Sequence, residues 1–383
     1  MAKETVRLTQ VGELAFGPGV ARQAADALAA RDLRRTLILT TPPIRCHAEA
    51  LASEIRKAGV GAGIWETPER EPSVADFDAA VAHARATAAD AVIGVGGGSV
   101  MDLAKLVAAL ADGAQQLQDV GGIGRLEGRA LWLACVPTTA GTGSEVSPIA
   151  ILLDQSDHLK KGVISPHLVP DAAYVDPLLT LTMPPSVTAS TGLDALTHCI
   201  ESYANRFAHP LVDSFALEGI RLISGSLLTA VTDGKNIAAR TDMARGSLYG
   251  GMCLGPVNTA AVHALAYPFA GEFQVPHGVS NAVLLPHVLA FNLPAATARY
   301  ADIGRAMGAA GQGSEEAVAR WGLALVEDLC RQCGVPMRLA EHGVRPESIP
   351  RMADGAMAVT RLLDNNVRVV THEDACRIYK EAL

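Results

Sequence analysis

Four side chains in the second half of the sequence have the types and spacing that a metal site needs. Asp194 and His198 are four residues apart in a segment whose pattern predicts a helix, so they share one helix face. His263 and His277 lie in or beside long stretches without Asp, Glu, Lys or Arg, where an unsatisfied polar group would be costly. Three neutral imidazoles and one carboxylate suit Fe(II), Zn(II) or a neighbouring transition metal.

Each of these residues also has an ordinary structural explanation. An isolated Asp-x-x-x-His pair usually lies on a helix surface, and a single histidine such as His263 is usually a hydrogen-bonded core residue. His277 follows a proline and could be a loop donor. Cys330 and Cys333 also have ligand-like spacing, but no second Cys pair accompanies them, so we interpret both as structural thiols.

A glycine cluster in the first half has the features of a phosphate-binding turn. Residues 94–102 read Gly-Val-Gly-Gly-Gly-Ser-Val-Met-Asp between a predicted strand and a predicted helix. Gly97 and Gly98 allow an anion to approach the backbone, Ser99 could cap the helix or donate to a phosphate, and Asp102 could orient the loop. The cluster matches neither the usual dinucleotide fingerprint nor a P-loop. A tight turn without a ligand is the alternative.

A second polar loop follows the next predicted strand. Residues 137–145 read Pro-Thr-Thr-Ala-Gly-Thr-Gly-Ser-Glu, and Thr138, Thr139 and Thr142 supply hydroxyl groups there. Ligands of parallel sheets gather at the carboxyl ends of the strands, so both loops should face one crevice. The pair of loops suggests a bound dinucleotide, although this loop alone could be an ordinary surface turn.

The segments around both loops alternate between strand-like and helix-like patterns, which predicts a parallel sheet with right-handed crossovers. The predicted strands are 36–40, 61–65, 90–95 and 131–137, and the predicted helices are 49–58, 77–89 and 101–111. After residue 185 the sequence is mostly long and helical in pattern. We therefore expect an α/β domain over residues 1–185 and an all-helical domain over residues 186–383.

Composition narrows the class of protein. The 383 residues are 49% hydrophobic and 19% charged, with a net charge of −8 and seven cysteines. This composition argues against a disordered chain, a nucleic-acid-binding protein and a disulfide scaffold. Two uncharged stretches, 246–271 and 278–298, contain Pro, Asn and His residues that spoil a membrane span. We expect a cytoplasmic protein with reduced thiols and no membrane partner.

Together these motifs resemble the iron-dependent (group III) alcohol dehydrogenase family over nearly the whole chain. The resemblance implies an α/β nucleotide-binding domain with a parallel sheet and an all-helical C-terminal domain, similar to the architecture of dehydroquinate synthase. It implies a divalent metal, Fe(II) or alternatively Zn(II), and NAD or NADP as cofactor. The metal ligands that it implies are Asp194, His198, His263 and His277.

The resemblance also implies roles around the cofactor and substrate. The residues that it places at the cofactor are Gly97, Gly98, Ser99, Asp102, Thr138, Thr139, Thr142 and Lys160. Thr41 stands where many members have an Asp that binds the adenosine ribose, and with Arg45 nearby this departure leaves NADP possible. Tyr267 stands where some members have a further histidine, and it could donate a hydrogen bond to substrate or simply pack.

The implied reaction is reversible hydride transfer between NAD(P) and a small alcohol, with the metal acting as a Lewis acid. Leu265, Phe269 and Phe273 would give the pocket an apolar lining suited to a small uncharged alcohol, aldehyde or ketone. Within the family, a maleylacetate reductase or a hydroxyacid–oxoacid transhydrogenase is an alternative. A dehydroquinate synthase-like lyase and a non-catalytic nucleotide-binding module are alternatives of other classes. The resemblance also implies a homodimer or a higher homo-oligomer.

Overall fold

A computed structural model describes residues 5–68, 71–154, 159–309 and 313–383, and for residues 153–154 and 159–161 it describes the backbone alone. The chain forms two compact units. The α/β unit comprises Thr9–Thr139 and Gly143–Leu181. The helical unit comprises Thr182–Leu383, together with Ala140–Thr142 and the N-terminal segment that ends at Leu8.

A six-stranded sheet, with every neighbouring pair parallel, forms the centre of the α/β unit, and its strand order is β1-β9-β6-β4-β2-β3. A smaller sheet has the order β5-β8-β7. The strands are β1 Glu13–Phe16, β2 Arg35–Thr40, β3 Gly61–Glu66, β4 Ala91–Gly96, β5 Gly122–Ile123, β6 Trp132–Pro137, β7 Ile149–Asp154, β8 Leu159–Ile164 and β9 Ala172–Val175.

Helices cover both faces of the large sheet. Successive side chains of a strand point to opposite faces, so Leu37 and Leu39 pack in one apolar cluster and Ile38 in another. Burial on both faces explains why these strands read as continuous apolar runs. The helices of this unit are α1 Gln23–Ala30, α2 Arg45–Lys57, α3 Val74–Ala86, α4 Gly98–Leu110 and α5 Leu117–Val120.

The helical unit contains the ten remaining α-helices of the described chain, packed around one large apolar cluster. Their bounds are α6 Pro185–Tyr203, α7 Pro210–Thr232, α8 Ile237–Leu254, α9 Ala261–Phe273, α10 His277–Asn292, α11 Thr297–Ala306, α12 Glu315–Gln332, α13 Ile349–Met357, α14 Thr360–Leu363 and α15 His372–Ala382. The predicted fold class, a parallel α/β part followed by a helical part, is confirmed. Cys330 and Cys333 are both buried as free thiols in the cluster of the helical unit.

One helix among the described residues, Pro210–Thr232, is long and apolar enough to span a membrane by length and composition alone. This is weak evidence, because core helices of soluble proteins also meet the criterion. The helix contains Asp213, Glu218 and Arg221, and its Val212, Ile220 and Ile223 pack in the apolar cluster of the helical unit.

Candidate functional site

Helix α6 carries three ionisable side chains on one face. Asp194, His198 and Glu201 follow the i, i+4, i+7 spacing of a helix, and all three are buried. Burial of so many polar groups on one stripe is costly unless the groups satisfy each other or bind a cation. The stripe therefore marks the polar centre of the helical unit.

Helices α9 and α10 bring the other two histidines to this stripe. His263 lies in the first turn of α9, and His277 is the first residue of α10. The start of α10 lies against α6, because a Cβ added at Gly278 would be only 2.0 Å from the backbone oxygen of Ser190. Glycine is thus the residue that lets the two helices approach closely enough to place His277 beside Asp194.

The three predicted histidine ligands lie around one carboxylate oxygen of the fourth predicted ligand, Asp194. Oδ1 of Asp194 lies 3.7 Å from Nε2 of His198, 3.5 Å from Nε2 of His263 and 3.7 Å from Nε2 of His277. Ligand atoms around one tetrahedral cation, with bonds of about 2.0–2.2 Å, lie roughly 3.3–3.6 Å apart. The ligand atoms of Asp194, His263 and His277 also lie within 4.8 Å of one another, so these three donors fit a single divalent transition-metal ion. His198 does not belong to that group of three, but its Nε2 lies close enough to Asp194 for it to be proposed as a fourth ligand.

The electrostatics of the cluster favour a cation. Burial would raise the pKa of Asp194, but the surrounding histidines hold that pKa well below its usual range. Burial would lower the pKa of His263, but hydrogen bonds to Asp194 and Glu201 raise it to about 10. Burial lowers the pKa of His198 despite the charge of Asp194. In the absence of a metal the carboxylates attract a proton to His263, and a metal ion would take the place of that positive charge.

Two residues that the sequence analysis missed support the ligands. Oε2 of Glu201 lies 2.6 Å from Nδ1 of His263, and Oε1 of Glu201 accepts a 2.6 Å hydrogen bond from the backbone N–H of Val262. A carboxylate that accepts the Nδ1 proton leaves the Nε2 lone pair facing the cluster, as metal-binding histidines require. The signal for Glu201 was its helical spacing from Asp194 and His198.

Asn281 is the second missed residue, and it lies one helical turn after His277. Its Nδ2 donates to Oδ1 of Asp194 at 2.8 Å and lies 3.1 Å from Nε2 of His263. Its Oδ1 is buried and has no hydrogen-bond partner among the described residues. A buried carbonyl oxygen without a partner is costly, which is a further sign that this cluster is built around an additional group.

The predicted cofactor residues of the α/β unit lie at the carboxyl edge of its parallel sheet. Thr41 follows β2, residues 97–99 follow β4, and Thr138 and Thr139 follow β6. Gly97 is the N-cap of α4, which corrects the prediction that Ser99 could be the cap; Ser99 lies in the first helical turn and is exposed. The first turn of α4 thus presents backbone N–H groups and an accessible hydroxyl, which suits an anion.

Some glycines of the cluster serve packing. A Cβ at Gly96 would lie 2.6 Å from Val100, and one at Gly94 would lie 2.9 Å from Ala104, so both glycines let β4 pack against α4. A Cβ at Gly97 would lie 3.5 Å from Thr139, which is an ordinary contact. The two predicted loops are therefore neighbours at Gly97 and Thr139.

Asp102 connects α4 to the second loop. Its carboxylate accepts hydrogen bonds from the Ser144 hydroxyl at 2.6 Å and the Ile151 backbone N–H at 3.0 Å. Lys105, which the sequence analysis did not single out, is fully buried and donates to the backbone oxygens of Ser147 and Ile149. Both side chains fix α4 relative to the second loop. Any contribution of Asp102 to cofactor binding would therefore be indirect, because Asp102 holds that loop in position.

Two other predicted cofactor residues lie elsewhere. The side chain of Lys160 is outside the described residues, and its backbone belongs to β8. Thr142 belongs to the short segment that groups with the helical unit.

The substrate-pocket predictions have mixed outcomes. Tyr267 is half-buried, and its ring centroid lies 5.8 Å from that of His277. The prediction that Leu265 and Phe269 line a pocket is wrong, because both are fully buried in the apolar core, and Phe273 packs against that core. The helical pattern of α9 does not show which of its faces is buried, and these side chains point into the core of the helical unit.

Comparisons with known proteins identify the family of this chain. The protein-family model described as "Iron-containing alcohol dehydrogenase" matches residues 12–177. A second family model, described as "Fe-containing alcohol dehydrogenase family, C-terminal", matches residues 188–383. The chain belongs to the iron-containing alcohol dehydrogenase family. The resemblance predicted from the motifs is therefore confirmed.

Relatives of this iron-containing alcohol dehydrogenase match over almost their full length. "Alcohol dehydrogenase 4" of Saccharomyces cerevisiae is 35% identical over 373 residues, with 96% of each chain covered. "NAD-dependent methanol dehydrogenase" of Bacillus methanolicus is 32% identical over 371 residues, with 96% of this chain and 97% of the relative covered. A crystal structure of a 1,3-propanediol oxidoreductase superimposes with a TM-score of 0.96 at 32% identity, with 99% of this chain and 100% of that chain covered.

These matches settle the class of reaction. The protein is a metal-dependent alcohol oxidoreductase, and the predicted enzyme class, alcohol dehydrogenase, is confirmed. The comparisons do not favour the maleylacetate reductase, the transhydrogenase or the dehydroquinate synthase-like lyase.

Proposed function

We propose that the protein transfers a hydride reversibly between a small primary or secondary alcohol and NAD, with Asp194, His198, His263 and His277 holding one Fe(II) ion. The observation that supports the site is the convergence of three imidazole Nε2 atoms on Oδ1 of Asp194 at 3.5–3.7 Å. In the forward direction the alcohol loses a hydride to NAD⁺ and a proton to solvent, which gives an aldehyde or ketone and NADH.

Several residues of the helical unit would have distinct roles in this reaction. A divalent cation in this cluster would supply Lewis-acid chemistry, which lowers the pKa of an alcohol and polarises a carbonyl. Glu201 fixes the ring of His263, and Asn281 holds Oδ1 of Asp194. The His277 imidazole is 31% exposed whereas Asp194 is 4% exposed, so substrate would approach on the His277 side. Tyr267 stands on that side and can donate its O–H to the substrate oxygen.

We propose NAD rather than NADP on the basis of charge at the sheet edge. Thr41 offers no carboxylate, but Glu66 ends β3 directly beside Thr40, the last residue of β2. Arg45, the nearby cation, makes 2.7 Å contacts with both Glu49 and Glu66. A 2′-phosphate needs an unpaired cation, and here the cation is already paired with two carboxylates.

The substrate proposed is a small alcohol, in keeping with the methanol and 1,3-propanediol in the names of two relatives. A cytoplasmic location and a homodimer or higher homo-oligomer stay predictions.

The test is a set of initial-rate measurements on protein reconstituted anaerobically with Fe(II). Short alcohols are supplied with NAD⁺ or NADP⁺, and the absorbance of reduced nicotinamide is followed. We expect steady formation of NADH and a much slower reaction with NADP⁺. A lyase would show no net change in nicotinamide, and a non-catalytic module would bind nucleotide without turnover. Either result would overturn the proposal.

A further inference from the structure

Arg361 is an exposed cation that lies beside Tyr267 in the helical unit. It lies on the short helix α14, and its guanidinium donates to the hydroxyl of Tyr267 at 3.5 Å. Among the described residues, this long contact with a neutral hydroxyl is the side-chain hydrogen bond of Arg361, and no carboxylate forms an ion pair with its guanidinium. Tyr267 in turn lies beside His277.

The helix that carries Arg361 is fixed by buried amides. Nδ2 of Asn365 donates to the backbone oxygen of Thr259 at 2.7 Å, just before α9. Asn366 and Asn292 exchange two side-chain hydrogen bonds of 2.8 Å. These bonds hold the segment after α14 against α9 and α10, so Arg361 is held near Tyr267 by its backbone.

Several other arginines of the helical unit are paired with carboxylates. Arg351 forms an ion pair with Glu272, and Arg299 contacts Asp213 at 2.9 Å. These two guanidinium groups are already neutralised by carboxylates of the same unit. Arg361 has no carboxylate partner among the described residues, and its exposed guanidinium beside Tyr267 can offer planar N–H donors to an anion.

We propose that Arg361 binds an anionic group, such as a carboxylate, at the end of the substrate remote from the reacting carbon. The preferred substrates are then ω-hydroxy acids and the corresponding aldehyde acids. This inference rests on the proposed function, because the chemical step is the same: the hydroxymethyl carbon gives a hydride to NAD⁺ and a proton leaves. A guanidinium fork matches carboxylate geometry.

The experiment compares ω-hydroxy acids of increasing length with unbranched alcohols of the same carbon count. It measures kcat and KM on the Fe(II)-loaded enzyme with NAD⁺ for the wild type, Arg361→Leu and Arg361→Lys. Arg351→Leu is the matched control, since it removes an exposed arginine that is already paired. A second measurement uses butyrate, which cannot be oxidised here, as a competitive inhibitor.

We expect at least one hydroxy acid to exceed its matched alcohol in kcat/KM. Arg361→Leu should lower kcat/KM for that acid about 10- to 100-fold, mainly through KM, since hydrogen bonds between charged groups are worth roughly 1.5–3 kcal/mol. The alcohols should change by no more than about twofold, Arg361→Lys should be intermediate, and inhibition by butyrate should weaken only in the Arg361 variants.

Failure of this inference is distinguishable from failure of the proposed function. If the wild type oxidises alcohols but shows no preference for any acid, or if Arg361→Leu affects acids and alcohols equally, only the role of Arg361 is overturned. If the metal-loaded wild type oxidises neither series with NAD⁺ or NADP⁺, the proposed function fails, and the role of Arg361 fails with it.

Discussion

The carboxylate of Glu201 determines which ring nitrogen of His263 is available to a metal ion. Its two oxygens are occupied by Nδ1 of His263 and the N–H of Val262, both at 2.6 Å. The carboxylate thereby holds the ring and keeps Nε2 directed toward Asp194. A ligand fixed in this way loses little conformational entropy when it binds a metal.

We predict that Glu201→Gln weakens metal binding about 10- to 100-fold, the usual effect of removing a hydrogen-bonding partner of a metal ligand. The measurement is competition for Fe(II) or Co(II) against a chelator of known affinity. Glu218→Gln, a change at an exposed glutamate of α7 paired with Arg221, serves as the control and should bind like the wild type. Unchanged affinity in Glu201→Gln would show that His263 needs no such partner.

Cofactor choice is also decided by individual charges. We predict that Glu66→Gln raises kcat/KM for NADP⁺ several-fold and lowers it for NAD⁺, because Arg45 loses one of its two carboxylate partners. Glu54→Gln, a change at a glutamate of α2 that is paired with Lys57, should leave the ratio unchanged. The check is the ratio of kcat/KM for the two cofactors; a ratio unaffected by Glu66→Gln would remove the basis for NAD preference.

For individual residues, the sequence allowed the four candidate ligands to be proposed, because histidines in uncharged stretches and an i, i+4 pair are visible without a structure. Glu201 could not be separated from the many helical glutamates that lie on a surface. Arg361 could not be placed near Tyr267 either, since the two residues are far apart in sequence and meet only when α14 docks on α9. Contacts of this kind depend on tertiary packing.

The approach of α6 and α10 is the element-level feature on which the candidate metal centre depends. We predict that Gly278→Ala destabilises the protein by about 1–3 kcal/mol and weakens metal binding, since the added Cβ would lie 2.0 Å from the oxygen of Ser190 and push His277 away. Thermal unfolding and metal titration measure the two effects.

The matched control for that change is Gly271→Ala in α9, where an added Cβ would meet nothing within 4 Å. This variant should unfold at the temperature of the wild type or slightly above it, because alanine favours a helix over glycine. Equal stability and equal metal affinity in Gly278→Ala and wild type would mean that the two helices can separate without cost.

Apolar runs predicted four of the nine described strands, but β7 was missed although its sequence, IAILLD, is also mostly apolar. The strands β2, β3, β4 and β6 coincide with predicted segments. Strands β2, β4 and β6 are buried almost throughout, whereas β3 lies at the edge of the sheet and has no fully buried residue. The four-residue strands β1 and β9 are too short to show a pattern, and β8 contains two lysines that weaken its apolar character. Helix α4 begins at Gly98 rather than at residue 101, since glycines hide the start of a helix in a sequence pattern.

For the molecule as a whole, metal binding and folding are linked. The candidate ligands come from α6, α9 and α10, so an ion that binds them would stabilise the folded helical unit and not the unfolded chain. We predict that Fe(II) at a hundredfold excess over its Kd adds about 2.7 kcal/mol of stability.

The measurement is Tm under anaerobic conditions with and without Fe(II), and after chelation. Wild type should gain several degrees on loading and lose them on chelation, whereas His263→Ala should show the same Tm in all three conditions. An equal Tm for loaded and chelated wild type would indicate that the ion does not bind the folded helical unit selectively.

The most direct test of the candidate metal centre is the metal content of the reconstituted protein. Wild type and the double variant Asp194→Ala/His263→Ala are loaded anaerobically with Fe(II), freed of excess ion by gel filtration and measured by elemental analysis. If Asp194, His198, His263 and His277 share one cation, the wild type retains about one ion per chain and the folded double variant retains almost none. A double variant that keeps its full complement of metal would contradict the four-ligand site.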